Sequence, residues 1–389
     1  MKNEIASKLY NFFLLVMLFT LPVTEGLKQI SLTLFVLVGI YICVKEKRQF
    51  KFDVINVSFF IFVLATFISC LVNGVSPSRV LDPLRCMLFF FVARTVGTEK
   101  INFKFMFYAL FAGFIVAFIP ACIEKFSDPD PEAFLILKSI GHVNHSAIYI
   151  FLIFLTALLF ISNKNKNRSI NISISIICIL ALAIAGSRST AYMIPLVSVL
   201  IFSYLIYKKE VSFKLSLTLS ILFCIVFFTY LYITITFTAD ERIYDQMSKG
   251  VQGGEFRFLI FESAFKTWQD NIFFGIGSGN FKSIDLTHFF PQSAKAHVSH
   301  AHNTFLTFLT EKGIIALLAY LVFQLSLFIK FIKNFRQSSI VFLALLMLVF
   351  QNIISLVNTT FHHENALLML LFWALALGVI DEKNSIFKN

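Results

Sequence analysis

The chain has 389 residues, of which 58% are hydrophobic and 14% are charged. A soluble globular protein carries about 25% charged residues, so this composition excludes a soluble domain and indicates an integral membrane protein. The formal net charge of +11 does not indicate nucleic-acid binding, because Lys and Arg gather in short clusters between apolar blocks, as the positive-inside rule predicts for cytoplasmic loops.

The apolar blocks predict an all-α polytopic membrane protein with about twelve spans. Each block approaches the ~20 residues that a spanning helix needs, whereas the strands of a membrane barrel would be half as long and would alternate. The first block is interpreted as a helix and not a cleaved signal peptide, because many spans follow it. The predicted spans lie at about 10–24, 28–44, 54–73, 80–97, 102–123, 142–162, 169–186, 189–207, 213–234, 304–332, 339–358 and 364–380.

Three parts of the chain follow from these spans. Residues 1–234 hold spans one to nine, residues 235–303 form the one long polar interval, and residues 304–389 hold spans ten to twelve with a short tail. The basic clusters would all lie on the side of the N-terminus, which predicts cytoplasmic termini and a periplasmic polar interval. These clusters are Lys45, Lys47, Arg48 and Lys51; Lys164, Lys166 and Arg168; Lys208 and Lys209; and Lys330, Lys333 and Arg336.

Charged residues in the fourth span are expected to face one another or a cavity, because lipid disfavours them. Asp82 and Arg85 are three residues apart and could pair near the outer side, while Arg94 should lie near the inner side.

Two outer loops carry predicted short helices. The run Asp128-Pro-Asp-Pro131 marks a loop, after which an interfacial helix is expected over Glu132 to Ile140. In the polar interval a helix is predicted over Glu255 to Asp270, since aromatic residues recur there at three- and four-residue steps and Glu262 and Lys266 form an i,i+4 pair. The apolar stripe should rest on the bilayer or on the spans. It consists of Phe258, Phe261, Phe265 and Trp268.

Two outer arginines are candidate functional residues. Arg188 stands against the low basic content of the outer loops, and Arg257 suits a phosphate at headgroup depth, which guanidinium grips in a bidentate fork. Arg188 lies in Gly186-Ser-Arg-Ser at the outer end of the seventh span, and Arg257 opens the amphipathic helix. Each has a structural alternative, since an arginine at a helix end can also anchor the helix at the interface.

A glycine run and several histidines complete the candidates. Gly275, Gly277 and Gly279 predict a turn or a nest of N–H groups for an anion, and the turn is favoured. His302 lies where the interval re-enters a helix, and a neutral imidazole suits a general base; alternatively it only caps the tenth span. The segment 362–365 could line the same cavity or merely cap the twelfth span, with the capping interpretation slightly favoured.

No metal site is predicted. None of the six cysteines has a CxxC spacing, which also argues against a disulfide framework. His297, His300 and His302 lack an HExxH pattern, and the nearest carboxylates, Asp285 and Glu311, are not at a recognised ligand spacing.

The motifs together resemble the O-antigen ligase superfamily over about residues 181–318. They are Gly186-Ser-Arg-Ser, Arg257, Asp270-Asn-Ile-Phe-Phe-Gly-Ile-Gly-Ser-Gly-Asn-Phe, and His300-Ala-His-Asn303 followed by Leu306, Glu311, Gly313 and Ile314. The resemblance implies a bacterial inner-membrane glycosyltransferase with a periplasmic active site, working by inversion without a metal or other cofactor. Its donor would be an undecaprenyl-pyrophosphate-linked glycan, and its acceptor a sugar hydroxyl of the lipid A–core.

Residue roles also follow from this resemblance. It makes His302 the catalytic residue and assigns Arg188 and Arg257 to the donor pyrophosphate, with His300, Asn303, Gly277 and Gly279 as possible supporting residues. The chemistry agrees, because a pyrophosphate leaving group needs charge neutralisation more than an acid. Whether His300 helps His302 or only neighbours it stays open.

Other functions compete with the ligase. An O-antigen polymerase would use the same donor with a second lipid-linked glycan as acceptor, and no residue separates the two cleanly; the single major loop with its His-Asn closure favours the ligase. A protein O-oligosaccharyltransferase would usually be longer at the C-terminal end. A transporter or flippase would show broken helices around a midplane site, whereas the motifs here gather at one face.

Overall fold

The computed structural model describes residues 2–127, 135–161, 168–185, 187–226, 228–229, 232, 253–284, 298–361 and 363–386. Within these ranges the regular structure is entirely helical, which confirms the predicted fold class. The predictions for Gly186, Asp285, His297, His362 and parts of the polar interval concern positions outside the described residues.

Helices occupy every predicted apolar block. They are α1 (Lys2–Thr20), α2 (Glu25–Lys45), α3 (Val54–Val72), α4 (Leu81–Val96), α5 (Phe103–Ser127), α6 (Val143–Leu159), α7 (Arg168–Ala185), α8 (Arg188–Ala191), α9 (Met193–Tyr207), α10 (Phe213–Val226), α11 (Gly253–Gln269), α12 (Thr304–Asn334), α13 (Ser339–Ser355) and α14 (His363–Ile386). Short 3₁₀ helices lie at Pro77–Val80 and Phe281–Ser283.

Six of these helices, α2, α3, α5, α7, α12 and α14, are long and apolar enough to cross a membrane, and α6, α9, α10 and α13 are apolar but shorter. The protein is therefore a helical membrane protein, and the count of twelve spans stays a prediction.

The middle of the bundle is formed by α6, α13 and α14. Helix α14 is apolar on all its faces, as expected for a helix enclosed by others. Its Trp373 is fully buried, and Nε1 of this residue donates to the carbonyl of Ala344 at 3.2 Å. Peripheral helices instead leave large apolar side chains exposed, such as Leu37 of α2 and Phe60 of α3. A lipid-facing surface has this character.

The bundle has two chemically different ends. At one end Lys51 and Lys330 lie 2.8 and 3.7 Å from Asp381, and Lys208 donates to the carbonyl of Arg336 at 2.6 Å. Several predicted basic clusters therefore meet there, and we call it the basic end. The opposite end, where α12 begins after His302, is called the histidine end.

The charged residues predicted in the fourth span lie at opposite ends of the bundle. Arg85 lies 3.2 Å from Asp82, near the start of α4 at the histidine end. Arg94 is buried at the basic end, where its Nη1 donates to Asp53 at 3.0 Å.

The predicted interfacial helix is wrong where the structure describes it. Residues 135–137 have no regular structure and 138–140 form a turn, while 132–134 lie outside the described residues. Leu135 and Leu137 are both fully buried, and Leu137 N–H donates to Ser146 Oγ at 3.0 Å. Burial of alternate residues is the pattern of an extended segment. In a helix, residues two positions apart point to different faces, so one apolar stripe would not bury both.

The helix in the polar interval is confirmed as α11, including the Glu262–Lys266 pair at 2.8 Å. Its packed face consists of Ile260 and Ala264, both fully buried, whereas Phe258 is 70% exposed. Phe258 therefore does not pack on the described spans, and whether the aromatic stripe rests on the bilayer or on the spans stays a prediction.

Candidate functional site

The histidine end is built around a break in α12. Gly313 adopts a left-handed φ of 78° inside this helix, so backbone groups on both sides of it lose their helical hydrogen-bond partners. The segment after α11 replaces these partners: Ile276 N–H donates to Thr310 O at 3.0 Å, and Ile272 O accepts from Ile314 N–H at 2.9 Å. A Cβ at Gly313 would overlap the backbone of Phe273. The glycine thus permits a close approach that any other residue would block.

The glycine run forms the turn predicted from sequence. Gly275, Gly277 and Gly279 all have positive φ values. A Cβ at Gly275 would overlap the backbone of Thr310 and Glu311, and Asn73 at the end of α3 donates to the carbonyl of Gly275 at 3.0 Å. This glycine turn, residues 275–279, is therefore fastened to both α3 and α12.

Glu311 lies beneath the glycine turn and is buried. Its carboxylate accepts hydrogen bonds from the N–H groups of Gly279 and Phe281, the second at 3.2 Å. Its carbonyl accepts from Gly277 N–H at 2.8 Å and from Ser69 Oγ at 2.9 Å. The sequence placed Glu311 in the motif that resembles the O-antigen ligase superfamily but assigned it no role beyond that of a doubtful metal ligand; the glycines six to ten residues after α11 were the available signal.

The predicted base, His302, is held by its backbone. It has a left-handed φ of 50°, and its N–H donates to Nδ1 of His300 at 3.2 Å. On either side, Ala301 N–H donates to Thr307 Oγ1 at 3.2 Å, and Asn303 caps α12 by accepting from Leu306 N–H at 3.0 Å. The cap is therefore Asn303, so the imidazole of His302 is not needed for capping.

The imidazole of His302 is electrically neutral at physiological pH. Burial lowers its pKa from 6.5 to about 4, and His300 and the positive charge of Arg257 act in the same direction. Burial likewise lowers the pKa of His300 to about 4. The two rings lie 4.5 Å apart, and Nδ1 of His302 is buried with no hydrogen-bond partner among the described residues. A neutral ring with an uncommitted nitrogen can accept a proton.

Arg257 reaches the same site from α11. Thr310 Oγ1 donates to the carbonyl of Ala264 at 3.1 Å, which fastens α11 to α12. The guanidinium of Arg257 is exposed and makes no ion pair with the carboxylates that the structure describes. Its charge nevertheless acts on His302, so the predicted phosphate-binding arginine and the predicted base lie near one another.

A small apolar cluster places α11 beside the histidine segment. It contains Ile260, Ala264, Phe281, Val298 and Ala301.

The Gly186-Ser-Arg-Ser segment joins the site through hydrogen bonds of its serines. Arg188 opens α8, and its side chain lies outside what the structure describes. Asn358 Nδ2 donates to Ser189 Oγ at 2.8 Å, while its carbonyl accepts from Thr304 Oγ1 at 3.1 Å. Through Asn358, these contacts connect Ser189, the residue after Arg188, to Thr304, the second residue after His302.

Whether the segment 362–365 lines a cavity or caps the twelfth span stays a prediction, but the residues around it contact neighbouring segments. Asn358 makes the connection just described, and Asn365 Nδ2 donates to the carbonyl of His145 at 3.2 Å. Glu364 instead forms a buried ion pair with Lys28 of α2, which is a structural role.

The start of α6 is a part of the site that sequence reasoning missed. Asn144 accepts a hydrogen bond from Ser187 at 3.4 Å, and the rings of His142 and His145 lie 5.2 Å apart. The charge of His142 also acts on His300 and His302. A His-x-x-His spacing directly before a span was the available signal.

The arrangement can bind an anion and accept a proton, since Arg257, which has no ion-pair partner in the described part of the chain, lies near a neutral histidine. Among the described residues no three His, Cys, Asp or Glu side chains are grouped as a metal site requires.

Comparison with known proteins identifies the same part of the chain. Residues 173–321, less than half of the chain, match the family described as O-antigen ligase. A search of curated proteins finds no match. The matched range begins in α7 and includes Arg188, Arg257, the glycine turn, His302 and the break in α12. Together with the helical membrane fold, this match supports the resemblance to the O-antigen ligase superfamily.

Proposed function

We propose that the protein is an O-antigen ligase. It transfers a glycan from undecaprenyl pyrophosphate to a sugar hydroxyl of the lipid A–core, on the periplasmic face of the bacterial inner membrane. Twelve spans with cytoplasmic termini would place the histidine end on that face. The observation that carries the proposal is a neutral His302, with an unpartnered Nδ1, under the electrostatic influence of Arg257.

The arginines act on the donor. Arg257 has no carboxylate partner among the described residues, so its fork is available for phosphate oxygens. Arg188 would contribute a second guanidinium from the start of α8. Their charges stabilise the negative charge that develops on the pyrophosphate as the glycosidic C–O bond breaks and the leaving group keeps the electron pair.

His302 acts on the acceptor. Its ring takes the proton of the acceptor hydroxyl while the hydroxyl oxygen forms a bond to the anomeric carbon of the donor. Attack opposite the leaving group inverts the configuration at that carbon. The imidazolium then releases the proton to solvent.

The low pKa of His302 in the free protein is compatible with a role as base, because a bound donor would raise this pKa. In the free protein, burial and Arg257 disfavour the imidazolium. A bound pyrophosphate would neutralise Arg257 and bring negative charge close, both of which raise the pKa of His302. The base therefore becomes stronger only when donor is present.

Lipopolysaccharide gels of a strain deleted for the protein test the proposal. A ligase deletion leaves core without any attached O-antigen, and the wild-type chain restores the ladder. A product of core plus one repeat would identify a polymerase instead. Purified protein should also move glycan from the lipid-linked donor to lipid A–core without any other protein; no transfer to this acceptor contradicts the ligase.

A further inference from the structure

The nest of N–H groups at the glycine turn is filled by the protein's own carboxylate. Glu311 is only 7% exposed, and its side chain accepts from the N–H groups of Gly279 and Phe281. Such nests bind anions, and here the anion comes from α12. These N–H groups are therefore committed to Glu311 and are not directed at an external phosphate.

The same residue is held through its backbone. Because α12 breaks at Gly313, the carbonyl of Glu311 is free to accept from Gly277 N–H at 2.8 Å and from Ser69 Oγ at 2.9 Å. Ser69 also donates to the carbonyl of Phe274 at 2.5 Å. Glu311 thus connects α3, α12 and the glycine turn at one point.

The position of the turn determines how the two reactive groups face each other. Phe281 follows the turn and is buried with Ile260 and Ala301. Ile260 lies one helical turn after Arg257 on α11, and Ala301 directly precedes His302. A shift of the turn would therefore move Arg257 relative to His302.

We propose that Glu311 is a positioning residue, which sets the separation between Arg257 and His302 without contacting substrate. The expected effect of Glu311 on transfer rests on the proposed function, whereas its effect on the separation between Arg257 and His302 does not. The carboxylate acts as a hydrogen-bond acceptor, so a neutral acceptor of the same shape can replace it.

Three variants test the role: Glu311→Ala, Glu311→Gln and, as a matched control, Glu262→Ala. Glu262 is the partly exposed carboxylate of α11 that pairs with Lys266. In full-length protein in nanodiscs, Glu311→Ala should lower the transfer rate about tenfold or more, because the N–H groups of Gly279 and Phe281 lose their acceptor. Glu311→Gln should stay within about threefold of wild type, since its amide oxygen accepts the same bonds, and Glu262→Ala should leave the rate unchanged.

A distance measurement gives a readout that does not require activity. Phe258 and Ser299 are both exposed, so spin labels at Phe258→Cys and Ser299→Cys report how α11 lies relative to the histidine segment. The native cysteines are first replaced by alanine. Wild type and Glu311→Gln should give one narrow distance distribution, and Glu311→Ala a shifted or broader one.

Either of two results overturns the proposal. One is a Glu311→Ala protein with normal transfer and an unchanged distance. The other is a Glu311→Gln protein that is inactive although its distance is unchanged, because the charge itself would then be needed. If Glu311→Ala does not accumulate, Ser69→Ala is used instead, because it removes the hydrogen bonds from Ser69 to the carbonyls of Phe274 and Glu311. A broadened distance distribution in Ser69→Ala supports the proposal, and an unchanged distribution overturns it. Loss of the proposed function would instead appear as no transfer by wild type, with the distance results unaffected.

Discussion

The two ends of the bundle use their cations differently. At the basic end Arg94 pairs with Asp53, and Lys51 and Lys330 pair with Asp381. These contacts link segments next to α3, α4, α12 and α14, and each charge has a partner. Paired charges hold helices together and leave little capacity for a ligand.

At the histidine end the important groups are uncommitted. Arg257 has no ion-pair partner and Nδ1 of His302 no hydrogen-bond partner among the described residues. Ion pairs occur at this end as well, namely Arg85 with Asp82 and the buried pair Lys28–Glu364, which joins α2 to α14. Cation content alone therefore does not identify a site; among the described residues, the histidine end differs in holding Arg257 without an ion-pair partner near a buried imidazole.

The largest expected effect comes from His302→Ala. Removing a general base costs about 10²–10⁴-fold in rate, so the lipopolysaccharide ladder should disappear while the protein level is unchanged. Retained laddering at a normal protein level would contradict the assignment of His302 as the base.

A comparison of two arginine substitutions separates the ends directly. Arg257→Ala should reduce transfer by about 10–100-fold, since charge-assisted hydrogen bonds to phosphate are lost, with normal folding and weaker donor binding. Arg94→Ala should instead lower protein yield and thermal stability, because it leaves Asp53 without its buried partner. Size-exclusion profiles and donor-binding titrations measure both effects; unchanged donor binding by Arg257→Ala would remove its phosphate role.

The pH dependence of transfer should report the response of His302 to donor. In free protein the pKa of His302 is lowered to about 4, so kcat/KM should stay flat from neutral pH down to about 5 and decline as His302 is protonated. The acid limb of kcat should lie at higher pH, because bound pyrophosphate raises the pKa. Acid limbs of kcat and kcat/KM at the same pH would contradict this coupling.

The smallest expected effect is that of Asn358→Ala. It removes the connection between Ser189 and Thr304, so Arg188 and His302 should lose their mutual alignment. We expect a decrease in transfer of about 3–10-fold, as for loss of one or two neutral hydrogen bonds. Asn334→Ala is the matched control at the basic end, where Asn334 Nδ2 bonds only within its own helix at 2.7 Å; an equal loss there would argue against a local effect.

Sequence alone was sufficient for the helices that occupy the apolar blocks and for α11. Spans are recognised from length and apolarity, which are local properties, and α11 from the spacing of its aromatic residues. His302, Arg188 and Arg257 were selected because they are polar residues at the ends of apolar blocks. Their roles remain predictions.

The tertiary structure decided what these residues contact. The aromatic spacing predicted α11 but not that Ile260 and Ala264 would form its packed face, because that depends on how α12 lies beneath it. The helix expected over Glu132 to Ile140 is absent from residues 135–140, its described part, because burial of Leu135 and Leu137 in the bundle outweighed local preference. The partner of the glycine turn, Glu311, lies about thirty residues away in a helix broken at Gly313. A contact of that kind depends on two distant backbones meeting at close range, which no local pattern in the sequence records.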